Sequence, residues 1–97
     1  MPTLEEIRTA AQEYGAQYGV EHIYLFGSYA RGEANTGSDV DLRVDKGRIR
    51  GLFQFAGLKL ALEDRLGTKV DLLSSDSLDE GFLDRIRKEE VLLYGAQ

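Results

Sequence analysis

The segment from Asp39 to Val44 alternates charged and apolar residues with a period of two. This alternation predicts a half-buried β-strand, with Val40, Leu42 and Val44 facing a core. The opposite face of the same strand then carries Asp39, Asp41 and Arg43. A sheet that buries one face needs a second layer against it, so the remaining segments must supply further strands and covering helices.

The spacing of apolar residues predicts the secondary structure of the remaining segments. Apolar residues at helical spacing predict helices with Leu4 and Leu52 on their inward faces, and a short helix is expected after a turn at Gly27 and Ser28. Thr3 with Glu6 predicts an N-cap, and the polar run 74–77 predicts the cap of the last helix. The order is αβαβαβα, with a closing strand or docked tail, and the fold class is α/β (α+β). The predicted helices cover 4–18, about 49–66 and 78–86, and the predicted strands cover 22–26, 39–44, 69–73 and 91–94.

Composition narrows the class of protein. The chain has 97 residues, 42% of them apolar and 30% charged, which predicts one globular domain over residues 1–97. Its net charge of −5 argues against non-specific nucleic-acid binding and fits a basic partner. The absence of cysteine excludes thiolate zinc sites and a cysteine nucleophile. With no membrane-length apolar run and no signal-peptide pattern, we expect a cytoplasmic protein.

Three carboxylates are candidates for metal chemistry. Asp39 and Asp41 project from one strand face with side chains about 7 Å apart, and Asp71 lies in another predicted strand. Three acids converging on one face repel each other unless a cation lies between them, and Mg²⁺ prefers oxygen ligands. For an isolated Asp-x-Asp, solvated acids on an exposed face are the better interpretation.

A glycine and a serine at the end of a strand change that assessment. Gly27 allows close approach of the backbone to a ligand, and Ser28 offers a hydroxyl and an amide at a helix N-terminus, which suits a phosphate. Taken alone, this pair is better explained as a turn with a helix cap. Gly-Ser, ten residues and Asp-x-Asp together are expected by chance in about one chain of this length in a thousand.

This combination resembles the minimal nucleotidyltransferases (MNT) of the DNA polymerase beta superfamily. It is similar more narrowly to MNT antitoxins encoded beside HEPN-domain toxins. The resemblance rests on residues 27–33 and 38–42, the strand around Asp71 and the ending 91–94. It implies a small twisted mixed sheet with helices packed on one face, as in the polymerase beta palm.

The resemblance also implies roles for individual residues. Gly27 and Ser28 would hold the triphosphate of ATP, Asp39 and Asp41 would bind two Mg²⁺ ions, and Asp71 would complete the first metal site and help activate the attacking hydroxyl. Arg31 could reach the phosphates or tie its loop to the sheet, with a surface ion pair to Glu33 as the plainer alternative.

Arg43 departs from the family pattern, in which its position is often apolar or neutral. It could contact the phosphates or a partner, it could neutralise Asp71 and weaken metal binding, or it could be a solvated residue at the strand end. His22, the single histidine, is expected to be structural or exposed. Lys46, Arg48 and Arg50 form a basic cluster that we interpret as a solvated helix start.

The leading hypothesis is a Mg²⁺-dependent nucleotidyltransferase antitoxin. It would transfer AMP from ATP to a hydroxyl, on a tyrosine, of a cognate HEPN ribonuclease toxin and so neutralise it. The alternative is a non-catalytic acidic antitoxin that masks a basic toxin by binding. A third hypothesis is a small-molecule nucleotidyltransferase, for which the chain lacks an acceptor-binding domain. Template-directed synthesis is excluded by size.

Overall fold

The computed structural model describes residues 1–96, and the predicted elements are present with small shifts at their ends. Within the described residues, four helices and four strands alternate, and a 3-10 turn, Ser75–Ser77, precedes the last helix. The helices are α1 (Leu4–Tyr18), α2 (Gly27–Ala30), α3 (Gly51–Leu66) and α4 (Glu80–Arg87); the strands are β1 (His22–Phe26), β2 (Val40–Asp45), β3 (Val70–Ser74) and β4 (Val91–Tyr94).

The four strands form one mixed sheet in the order β3-β2-β1-β4. β1 pairs antiparallel with both β2 and β4, whereas β2 and β3 run parallel because α3 crosses over between them. The chain end at 91–94 is therefore a strand rather than a docked tail. The prediction of a small mixed sheet is confirmed.

The main core lies between the sheet and the two long helices. Val40, Leu42 and Val44 are fully buried there, as the alternation in β2 predicts. The expectation of helices on one face holds for α1 and α3, while the short α4 packs on the opposite face. There, Leu83 and Ile86 of α4 contact Phe26. Core residues contributed by α1, α3 and the strands are Ile7, Ala10, Ala11, Leu58, Leu62, Ile23, Leu25, Val40, Leu42, Val44, Val70, Leu72 and Leu93.

Two inward assignments were wrong. Leu4 is 45% exposed and Leu52 is 78% exposed, and each lies in the first turn of its helix. Gly15, in the interior of α1, is explained by packing, since an added Cβ there would lie 2.8 Å from the ring of Tyr94.

Local capping follows the sequence signals at α1 but not at α4. The Thr3 hydroxyl accepts from the Glu6 amide at 3.1 Å, and Glu6 accepts from the Thr3 amide at 2.9 Å, which completes a capping box. The N-cap of α4 is Asp79, whose carboxylate accepts from the Phe82 amide at 2.8 Å. The run 74–77 does not cap α4, because the extended backbone at Leu78 separates the two. No helix within residues 1–96 is long and apolar enough to span a bilayer.

Candidate active site

The parallel register of β2 and β3 brings the predicted carboxylates together. Asp41 and Asp71 are direct partners in this pairing, and Asp39 immediately precedes β2. Their neighbours Val40 and Val70 point into the main core, so the acids project from the opposite face of the sheet. All three side chains are partly exposed, so they are reachable by a ligand from solvent.

The Gly27-Ser28 turn lies directly beside this acidic face. Phe26, the last residue of β1, is the register partner of Asp41, so the next residue, Gly27, lies against the Asp41 side chain. Gly27 has a φ of +75°, and a Cβ at this position would overlap Asp41 Oδ2. Glycine is therefore required here both for backbone conformation and for space. Ser28 follows in the first turn of α2.

The electrostatics of the face are dominated by like charges. Burial and the nearby carboxylates of Asp71 and Asp39 together raise the pKa of Asp41 to about 6, against the opposing effect of Arg31. Lys69 is the nearest lysine counter-charge, and its Nζ lies 3.8 Å from both Asp39 Oδ2 and Asp71 Oδ1. Sequence reasoning missed Lys69, although its position two residues before Asp71 places both on one strand face.

This donor set suits a divalent cation. Carboxylate oxygens are the ligands that Mg²⁺ prefers, and a cation would relieve the repulsion that perturbs Asp41. In residues 1–96, however, the one group of three potential ligands within 4.8 Å of one another is Glu21, His22 and Asp45. The three aspartates share a face without that degree of convergence, so a bound cation would have to draw them closer.

Arg31 is held in place by two carboxylates. Its Nε donates to Glu33 Oε1 at 2.9 Å, and its Nη1 donates to Glu89 Oε2 at 3.1 Å. The sequence left two alternatives to a phosphate contact for Arg31, an ion pair with Glu33 and a link from its loop to the sheet. Both are present, because the guanidinium pairs with Glu33 and also binds Glu89 in the segment before β4. The Glu89 carboxylate additionally accepts from the Gly27 amide at 2.7 Å.

Residues 5–97 match the family model described as polymerase beta, nucleotidyltransferase. The chain belongs to this nucleotidyltransferase family. It is 42% identical over 95 residues to a protein of Thermococcus cleftensis named protein adenylyltransferase MntA, covering 94% of this chain and 96% of the relative. The prediction of a minimal nucleotidyltransferase is confirmed.

Two solved structures share this nucleotidyltransferase fold. One is a toxin–antitoxin with AMP-PNP, with a TM-score of 0.79 and 25% identity over 97% of this chain and 76% of that chain. The other is a tri-AMPylated Shewanella oneidensis HEPN toxin in complex with an MNT antitoxin. It has a TM-score of 0.74 and 21% identity, covering 96% of this chain and 74% of that chain, so it supports the fold alone.

In this nucleotidyltransferase, Arg43 is not the solvated residue that one alternative predicted. Its side chain is 5% exposed, and its Nη2 donates to both oxygens of the Glu90 carboxylate at 2.8 Å. The guanidinium also lies 4.0 Å from the ring centroid of Tyr24 and donates to Ser75 Oγ at 2.9 Å. Arg43 is therefore engaged in a buried ion pair and is not directed at Asp71.

The remaining polar sites of the nucleotidyltransferase lie at the other end of the sheet. His22 Nδ1 is 2.7 Å from Asp45 Oδ2, and Nε2 is 2.7 Å from the Ala96 carbonyl. Burial alone would lower the pKa of His22, but these two acceptors raise it. His22 is structural, as expected, since both ring nitrogens are already bonded. Lys46 pairs with Asp76 at 3.4 Å, and Arg48 and Arg50 are exposed, as expected for a solvated helix start.

Proposed function

We propose that this nucleotidyltransferase is an antitoxin that transfers AMP from ATP to a tyrosine hydroxyl of a cognate HEPN-domain toxin. The observation that carries the proposal is the juxtaposition of Asp39, Asp41 and Asp71 with the Gly27-Ser28 turn on one open face. The name of the Thermococcus cleftensis relative supports protein as the acceptor. The toxin–antitoxin structure with AMP-PNP supports a toxin as the partner, and the HEPN class follows the sequence resemblance.

The residues divide into two groups in this proposal. Ser28 and the free donors of Arg31 bind the triphosphate, and Gly27 gives the backbone room beside Asp41. Asp39, Asp41 and Asp71 hold two Mg²⁺ ions, which when bound supply charge neutralisation for the attacking and leaving oxygens. Asp41 and Asp71 lie on paired strands of the sheet, so side-chain movement would suffice to bring their carboxylates onto a bound cation.

The transfer needs no reactant other than ATP and the acceptor hydroxyl. The acceptor oxygen bonds to the α-phosphorus of ATP while the bond from that phosphorus to the β-bridging oxygen breaks. Pyrophosphate leaves, and the hydroxyl proton is released. Asp71, on the strand beside Asp41, would help to activate the hydroxyl. Electrostatic stabilisation and positioning account for most of the rate enhancement in reactions of this class.

A competing proposal is that the chain masks a basic toxin without catalysis, which its net charge of −5 favours. Co-expression with a cognate HEPN-domain toxin separates the two. The variants are Asp39→Asn/Asp41→Asn and a control, Asp64→Asn/Asp84→Asn, which removes the same charge from exposed helical positions. Intact mass spectrometry of the recovered toxin is the readout.

Wild type and control are expected to rescue growth and to leave the toxin heavier by one or more AMP units on tyrosine. The Asp39→Asn/Asp41→Asn variant is expected to leave the toxin unmodified and active, even where the two proteins co-purify. Full rescue by that variant with an unmodified toxin would contradict catalysis and support masking.

A further inference from the structure

The segment between α4 and β4 contributes an acidic side chain to the nucleotide-binding turn. Val91 of β4 pairs with Leu25 of β1 in an antiparallel register, so two positions further along, Glu89 lies opposite Gly27. The Glu89 carboxylate accepts from the Gly27 amide at 2.7 Å, and its side chain is 27% exposed. The contact is thus a consequence of strand pairing between residues 62 positions apart.

This carboxylate acts as a helix cap supplied from a distance. The local N-cap position of α2 is Phe26, which offers no side-chain acceptor for the first-turn amides. An unpaired amide at a helix start needs an acceptor, and a negative charge there is favourable. Glu89 provides both, which no pattern local to residues 26–31 could have revealed.

The same carboxylate fixes Arg31. Its two oxygens accept from Arg31 Nη1 at 3.1 and 3.3 Å, so one group binds the start of α2 and the residue after its end. The turn and the guanidinium are thereby held in a fixed relation beside Asp41. The segment is itself anchored, because the adjacent Glu90 binds the buried Arg43.

We infer that Glu89 is a positioning residue for nucleotidyl transfer, which holds Ser28 and Arg31 where the triphosphate meets them. This inference rests on the proposed function. The Gly27 amide is already bonded, so the phosphates would be bound by Ser28 and by the donors of Arg31 that Glu89 leaves free. Loss of Glu89 would free the turn and let the Arg31 guanidinium, held then by Glu33 alone, move towards Asp41.

The test compares Glu89→Ala, Glu89→Gln and Asp84→Ala, the last removing the same charge from an exposed position of α4. Three quantities are measured: kcat and KM for AMP transfer, the affinity for Mg²⁺ with AMP-PNP by calorimetry, and hydrogen exchange at the Gly27 amide by NMR. We expect Glu89→Ala to lower kcat by about tenfold to a hundredfold, the scale of losses from small misplacements. It should also weaken nucleotide binding and speed exchange at Gly27.

Glu89→Gln keeps an acceptor for the amide and is expected to retain much of the activity, while Asp84→Ala should match wild type. Tighter nucleotide binding by Glu89→Ala would overturn the inference, because Glu89 would then be an obstacle to the phosphates. Unchanged kcat and affinity in a variant with a lower Tm would also overturn it, since the role would be structural. If wild type itself neither binds nucleotide nor transfers AMP, the proposed function fails, and with it the role of Glu89; the Gly27 exchange rate then tests only the structural contact.

Discussion

Replacing Asp41 with Asn is expected to stabilise the protein in the absence of metal while removing transfer activity. Asp41 is partly buried and faces the carboxylates of Asp71 and Asp39, which together raise its pKa from 3.8 to about 6. An acid whose pKa is raised in the folded state favours folding only while protonated. Its ionisation therefore costs stability as the pH rises from about 4 through about 6.

The size of this loss of stability follows from the shift in the pKa of Asp41. A change from 3.8 to about 6 corresponds to about 3 kcal/mol at neutral pH, at about 1.4 kcal/mol per unit. Because the site is open to solvent, which screens the repulsion, we expect Asp41→Asn to raise the free energy of unfolding by about 1–2 kcal/mol. In a domain of this size, that gain raises the Tm by at least about 4 °C.

Thermal melts in EDTA at pH 7.5 and pH 4 test this reasoning, with Asp64→Asn as an exposed control. The gain for Asp41→Asn should be present at pH 7.5 and nearly absent at pH 4, where wild-type Asp41 is already protonated in the folded protein. The control should match wild type at both pH values. A variant that melts below wild type at pH 7.5, or a gain independent of pH, would refute the repulsion argument.

Three further predictions concern the turn, the buried ion pair and the metal. Gly27→Ala should lower the free energy of unfolding by about 1–3 kcal/mol through backbone strain, and further through the overlap with Asp41, and it should abolish transfer. Gly32→Ala is the control, because Gly32 has a similar φ of +73° but open space around it. Equal losses of Tm and of activity in the two variants would contradict a specific role for Gly27. Glu90→Ala should lower the free energy of unfolding by up to about 3 kcal/mol, since the buried Arg43 then keeps only the longer 3.4 Å contact to the Asp45 carboxylate. Urea denaturation should show Glu90→Met/Arg43→Met recovering most of that loss. Calorimetry should detect ATP binding with Mg²⁺ or Mn²⁺ but not in EDTA, because triphosphate and carboxylates repel without a cation; equal affinity in both conditions would place the phosphates elsewhere.

Much of the fold could be predicted because its signals are local. The alternation in residues 39–44 determines which face of β2 is buried, and the capping box at Thr3 and Glu6 determines where α1 begins. The aspartates of β2 and β3 could also be placed on one sheet face, because side chains alternate along any strand. The roles of these residues in metal and nucleotide binding stay predictions.

The partners of Glu89 and Arg43 were decided by tertiary structure alone. The sequence determined that a strand ends just before Gly27 and that Arg43 shares a face with Asp41. It did not determine that β4 pairs with β1, and this pairing places Glu89 opposite Gly27 and Glu90 beside Arg43. Hydrophobic periodicity reports which face of an element is buried, whereas the register between strands far apart in sequence depends on how the whole core packs.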